Sequence, residues 1–170
     1  ADGGYLEAYE GWQTDSRPVT FDEMLADDSI DLIVTAAIAN GGEMVAPRLV
    51  DRLVSANGDV RTLGSRGLGR VMSASTARDL KDAMVRAVEG RFAGPLAGAA
   101  KVPGVVTAGK SGSAELVDAP PHSWFVGFAP ASDPRIVVVV VVENGGAGSR
   151  RAVPMGGRLM SAWLRRFAGP

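Results

Sequence analysis

Apolar and polar positions recur along this chain with two different periods, and the change between them divides it into a helical first part and a strand-rich second part. From Phe21 to Asn40 the apolar residues Leu25, Ile30, Ile33, Val34, Ala37 and Ile38 fall at helical spacing, with Asp22 as a candidate cap. Asn40-Gly41-Gly42 is a stop, because these residues tolerate left-handed backbone. The acidic cluster Asp27, Asp28 and Asp31 is a candidate break into two helices. In "PRLVDRLVSANGDVRTL" two alternating segments flank Asn57-Gly58, the favoured pair of a tight hairpin turn. "SASTARDLKDAMVRAVEG" predicts a helix capped by Ser73 or Ser75, with Leu80, Met84 and Val88 as its apolar stripe and Gly90 as its end.

After the Gly/Pro-rich loop "RFAGPLAGAAKVPG" the period changes to two. Three runs are predicted as strands: Val105–Leu116, Ser123–Ala129 and Arg135–Glu143, separated by "PPH" and "ASDP". Such connections are too short for a parallel crossover, so the strands form an antiparallel meander. The uninterrupted run Ile136 to Val142 predicts a strand covered on both faces. "GGAGSRR" is a glycine loop, and residues 154–167 form an amphipathic helix with Met155, Leu159, Trp163, Leu164 and Phe167 on one side. The expected fold class is α/β, an antiparallel sheet covered by helices on both faces. Residues 1–20 are polar and glycine-containing, read as a loop or edge segment.

Composition narrows the classes. A chain of 170 residues is one domain or one large piece of one. With 46% apolar and 22% charged residues it can bury a core. A net charge of −1 gives no general attraction to nucleic acid or acidic membranes. There is no cysteine and only one histidine, His122, so thiol catalysis and multi-histidine metal sites are excluded and no metal or cofactor is expected. No apolar run approaches the roughly 18–20 residues of a membrane span. The start, "ADGGYLEAYEGWQ", has neither signal-peptide character nor a Met, as expected of a processed or excised fragment.

The chemistry concentrates in "GVVTAGKSGSAEL", Gly104 to Leu116. As G-x-x-x-x-G-K-S it fits a phosphate-binding loop. That reading needs a strand before Gly104 and a helix opening at Lys110-Ser111. Neither is indicated: "LAGAAKVP" precedes, Gly112 would sit in the first turn, and Pro120-Pro121 would end the helix. The second reading is a Lys-Ser-Gly strand, and the third an ordinary strand carrying these letters by chance.

The neighbours favour the second. "AGKSGSAEL", "HSWFVGFAP", "IVVVVVVENGG" and "AVPMGG" occur in order after "AAIANGGEMVAPRLVD" and "STARDLKDAMVRAVEG". Over residues 32–167 this series resembles the C-terminal part of the transpeptidase domain of penicillin-binding proteins, and residues 1–31 stay unassigned. The resemblance implies a partial penicillin-binding transpeptidase or serine β-lactamase-like fold and a peptidoglycan D,D-transpeptidase function. It implies a peptidoglycan stem peptide or β-lactam as ligand, and a place outside the cytoplasm in the bacterial envelope, with the parent protein anchored to the membrane. It also implies roles. Lys110 supplies positive charge and tunes proton transfer, Ser111 binds the substrate carboxylate, Gly112 keeps the strand surface clear, and the Ser113 amide is half of an oxyanion hole. His122 is expected to be a local hydrogen-bonding residue, and Trp124, Phe125 and Phe128 core and cover of the sheet.

Two further motifs of that family are not found. No serine has a lysine three residues on: Arg78, Gly98 and Thr107 precede the three lysines by that interval. The one Ser-x-Asn, Ser55-Ala56-Asn57, lies at the predicted hairpin and is read as turn chemistry. The chain alone is therefore expected not to acylate. It is either part of a longer enzyme, with the remainder of the transpeptidase domain as its partner, or a non-catalytic binding module on the same fold.

Overall fold

A computed structural model describes residues 30–48, 50–90 and 98–167. Helix α1 (Ile30–Ala39) ends in a turn where Gly41 and Gly42 adopt φ +65° and +95°. The Gly42 amide donates to the Ala37 carbonyl at 2.8 Å, closing the helix as the Asn-Gly-Gly sequence predicts. The buried positions of α1 are Thr35 and Ala37, whereas Val34 is exposed, which corrects the expected stripe. The earlier part of that predicted helix, residues 21–29, lies outside the described residues.

Strand β1 (Glu43–Val45) pairs antiparallel with β4 (Gly67–Arg70). Between them β2 (Arg52–Val54) and β3 (Val60–Thr62) form the hairpin expected around Asn57-Gly58, with Gly58 at φ +89°. Helix α2 (Ala74–Glu89) is capped by Ser73, whose Oγ accepts the Thr76 amide at 3.0 Å. Its buried residues are Ala77, Met84 and Val88, and Leu80 is exposed. Met84 and Val88 therefore stand as expected, and at the first turn of the stripe Ala77 is buried in place of Leu80.

The main sheet has the order β5 (Ala108–Leu116), β6 (Ala119–Ala129), β7 (Ile136–Val142), all antiparallel. Two boundaries differ from expectation. β5 begins at Ala108, and β6 begins at Ala119, so Pro120, Pro121 and His122 lie inside a strand. The reversal is instead made at Val117-Asp118, with Asp118 at φ 59°. Prolines are tolerated there because β7 ends at Val142, opposite Ser123. Beyond that pair, among the described residues, β6 has a strand beside it on one side only, and the register on that side is irregular between Ala114 and Leu116.

Helices lie on both faces, as the run Ile136 to Val142 predicts, although Val141 is left exposed. On one face Phe125, Val138 and Val140 pack with Val153, Met160 and Leu164 of α3 (Ala152–Phe167). On the other, Ala108 and Phe128 pack with Met84 of α2, and Ile38 and Ala39 of α1 close over them. The face that α3 buries is not the one its large side chains suggest. Ala152, Val153, Gly156, Gly157, Met160 and Leu164 are buried, whereas Met155, Leu159 and Phe167 are exposed. The reason is close approach. A Cβ on Gly157 would lie 2.5 Å from the Ala99 carbonyl oxygen of the 3₁₀ turn Gly98–Ala100, and one on Gly156 would lie 2.2 Å from the Phe125 ring. That ring, 1% exposed, also occupies the space where side chains of Gly109 and Gly127 would stand.

Candidate active site

β5 has β6 on one side and no strand on the other among the described residues. Lys110, Ser111, Gly112 and Ser113 lie along the middle of this edge strand, opposite Val126, Phe125, Trp124 and Ser123. The phosphate-loop reading is thereby overturned: Lys110-Ser111 sits within a strand and opens no helix. Ser55-Ala56-Asn57 is a turn, as expected. The Ser55 amide donates to the Asp59 carbonyl, the Gly58 amide donates to the Ser55 carbonyl, each at 2.9 Å, and Ser55 Oγ bonds Asn57 Oδ1.

Directly opposed residues of an antiparallel pair share a face. Ser111 and Ser113 therefore stand on the Phe125 side, beneath α3, and Lys110 and Gly112 stand on the Val126 side, toward α1 and α2. Cation and hydroxyls flank one exposed edge from opposite faces. Lys110 is exposed and its Nζ donates to the Ser111 carbonyl. An unpaired edge offers alternate amides and carbonyls to an extended peptide, and a glycine in it leaves the approach open.

The base of β5 is fixed by α2. Glu89 Oε1 accepts the Thr107 amide at 3.0 Å, and Lys101 Nζ lies 3.5 Å from the other carboxylate oxygen. The Thr107 side chain, fully buried, accepts the Val102 amide at 3.1 Å. The upper end of the sheet is fixed by the glycine loop, residues 143–151. The Asn144 amide donates to His122 Nδ1 at 2.9 Å, so His122 does make the local hydrogen bond expected of it. The Gly148 amide donates to Ser113 Oγ at 3.1 Å, and Ser123 Oγ accepts the Ala152 amide, at the start of α3, at the same distance. Glu89, Thr107, Ser123 and Gly148 were not singled out from sequence. Ser123 carries a signal: a polar residue at an inward place in the alternation that continues through Phe125, Gly127 and Ala129.

With this geometry in view, the comparisons decide the family. The model of the penicillin binding protein transpeptidase domain matches residues 32–161. The chain belongs to the penicillin-binding protein transpeptidase family. Among curated relatives, the peptidoglycan D,D-transpeptidase PbpA of Mycolicibacterium smegmatis is 36% identical over 143 residues, which span 78% of this chain. Among solved structures, penicillin-binding protein A of M. tuberculosis, as its ceftriaxone acyl-enzyme complex, superposes with a TM-score of 0.70 at 33% identity over 78% of this chain. The D,D-transpeptidase domain of a peptidoglycan glycosyltransferase from Eggerthella lenta gives 0.68 at 35% identity over 81%. This chain spans 28% of the curated PbpA and 31% and 32% of the two solved chains. A partial transpeptidase fold is what these likenesses share with the sheet described above. Among the described residues, no helix is long and apolar enough to cross a membrane.

Proposed function

We propose that this chain supplies the substrate-side strand of a peptidoglycan D,D-transpeptidase, and that the acylated serine comes from sequence beyond it. The observation that carries this reading is the Lys-Ser-Gly-Ser segment on the open edge of the main sheet, in a chain with no Ser-x-x-Lys. A stem peptide ending in D-Ala-D-Ala, or a β-lactam in its place, lies along β5. Ser111 donates a hydrogen bond to its carboxylate, and Lys110 supplies the charge that draws the carboxylate in and eases proton transfer. The Ser113 amide donates to the developing oxyanion of the tetrahedral intermediate, where one such donor is worth about 10²–10³ in rate. Gly112 leaves room for the ligand backbone. In chemical outline, the serine oxygen forms an ester with the penultimate D-Ala carbonyl while the terminal D-Ala leaves, and an amine of a second stem peptide then displaces the serine. Residues 32–170 form the C-terminal portion of the transpeptidase domain, with residues 1–31 an unassigned N-terminal segment. The site works outside the cytoplasm, where peptidoglycan is cross-linked. That one solved relative, penicillin-binding protein A of M. tuberculosis, is seen as the acyl-enzyme of ceftriaxone and of imipenem supports β-lactams as ligands.

The test is intact mass after incubation with a reporter penicillin, on this chain and on the product of the gene's full reading frame. The expected result is an adduct on the longer product and none on this chain. An adduct on this chain would refute the claim that the nucleophile lies elsewhere. Silence from both would remove the transpeptidase reading and leave a non-catalytic module on the same fold.

A further inference from the structure

Beyond Ala114 the sheet holds β5 poorly. The register with β6 becomes irregular between Ala114 and Leu116, and the facing stretch of β6 contains Pro120 and Pro121, which have no amide to give. Gly112 has no side chain to pack, and among the described residues the outer edge has no strand. The Gly112–Ser113 step is the last but one regular pairing before that irregularity, and the glycine loop packs against it from behind. A Cβ on Gly148 would lie 2.0 Å from the Gly112 carbonyl oxygen and 2.8 Å from that of Trp124, so the loop backbone rests on the ladder at that step. The Gly148 amide holds Ser113 Oγ at 3.1 Å.

The loop is itself anchored from several sides. Asn144 bonds to His122, and the Gly146 amide donates to the Pro121 carbonyl at 2.9 Å. The fully buried Ser123 hydroxyl donates to the Ala147 carbonyl at 3.3 Å and accepts the Ala152 amide. The Gly148 carbonyl accepts the Val153 amide at 3.1 Å, which joins the brace to α3.

We infer that Gly148 and Ser123 are positioning residues for the proposed reaction: through the loop they set the pitch of the Gly112–Ser113 step, and with it the direction of the Ser113 amide. This rests on the transpeptidase reading above. Neither residue touches substrate. Their effect falls on the acylation step and not on ligand capture, because the negative oxygen develops only as the tetrahedral intermediate forms and is absent from the bound ligand.

The experiment measures acylation of the full gene product by a reporter penicillin, resolving noncovalent affinity from the acylation rate constant in the wild type, Gly148→Ala, Ser123→Ala and Ser123→Thr. A misdirected donor predicts an acylation constant reduced about ten- to a hundredfold in the two alanine variants. Affinity stays within about twofold, and threonine, which keeps the hydroxyl, retains most of the rate. Should Gly148→Ala fail to fold, Ser123→Ala, which removes one oxygen, decides. Unchanged acylation constants, or constants that fall only in step with affinity and thermal stability, would reduce the loop to scaffold and overturn the inference. A wild-type product that stays unlabelled would remove the function itself, an outcome visible before any variant is compared.

Discussion

Replacing Gly156 by alanine sets two effects against each other in the middle of α3. Helix propensity favours alanine by about 1 kcal/mol. The site has no room for it: the added Cβ would lie 2.2 Å from Phe125 Cδ1. Ordinary carbon contacts are about 3.5–4.0 Å, so the shortfall exceeds about 1 Å. The ring has nowhere to retreat. It is 1% exposed and already fills the space in front of Gly109 and Gly127. Either α3 lifts from the sheet or the ring leaves its rotamer, and overpacking of this kind costs about 1–3 kcal/mol. An overlap of this size belongs at the upper end, leaving a net loss of about 2 kcal/mol after the propensity gain. Over a domain of this length that lowers the melting temperature by about 4–8 °C. The measurement is urea unfolding of Gly156→Ala, Phe125→Leu and the double variant. If the clash is the cause, the alanine costs at least about 1 kcal/mol less when residue 125 is leucine. A Gly156→Ala protein more stable than wild type, or a double variant that is merely additive, would refute the argument.

Glu89→Ala should destabilise by about 1–3 kcal/mol in the same assay, because it leaves the amide of fully buried Thr107 without its acceptor. Lys101→Ala should stay within about 0.5 kcal/mol, since the 3.5 Å ion pair is half exposed on the lysine side; equal losses in the two would show that the ion pair and not the amide bond matters. Ser73→Ala should cost about 1 kcal/mol through loss of the α2 cap while Ser73→Asp restores it, and an unchanged unfolding midpoint in the alanine variant would mean that Ser75 takes over.

The meander, the Asn57-Gly58 hairpin and the cap of α2 were legible because each rests on local chemistry: alternation, left-handed turn residues, a hydroxyl before a helix. The departures all come from what lies across the fold. Pro120 and Pro121 look like breakers, and they are admitted to β6 only because β7 has already ended. Met155, Leu159, Trp163 and Phe167 look like a core stripe at four-residue spacing, yet α3 turns Gly156 to the Phe125 ring and Gly157 to the 3₁₀ turn, where nearness counts for more than hydrophobicity, and leaves Met155, Leu159 and Phe167 exposed. Lys110 to Ser113 could be placed on a strand from their neighbours. That Lys110 stands on the opposite face from Ser111 and Ser113 required the register. The supports at Glu89, Ser123 and Gly148 left almost no trace, since a hydrogen bond 18, 29 or 35 residues away has no period.

The glycines around Phe125 also discriminate between strand alignments. β7 is seven consecutive β-branched apolar residues, and β6 beside it carries aromatic rings at 124, 125 and 128. To hydrophobicity alone, such a pair looks much the same after a slip of one residue, although every side chain would then change face. The vacancy formed by Gly109, Gly127 and Gly156 does not look the same. It accepts one ring, from one position, and a slipped β6 would present Trp124 or Val126 to Gly109 and Gly156, carry Gly127 out of the vacancy and turn Phe125 toward the side that Met84 fills. In the most uniform stretch of the chain, fidelity of pairing is carried by three side chains that are not there.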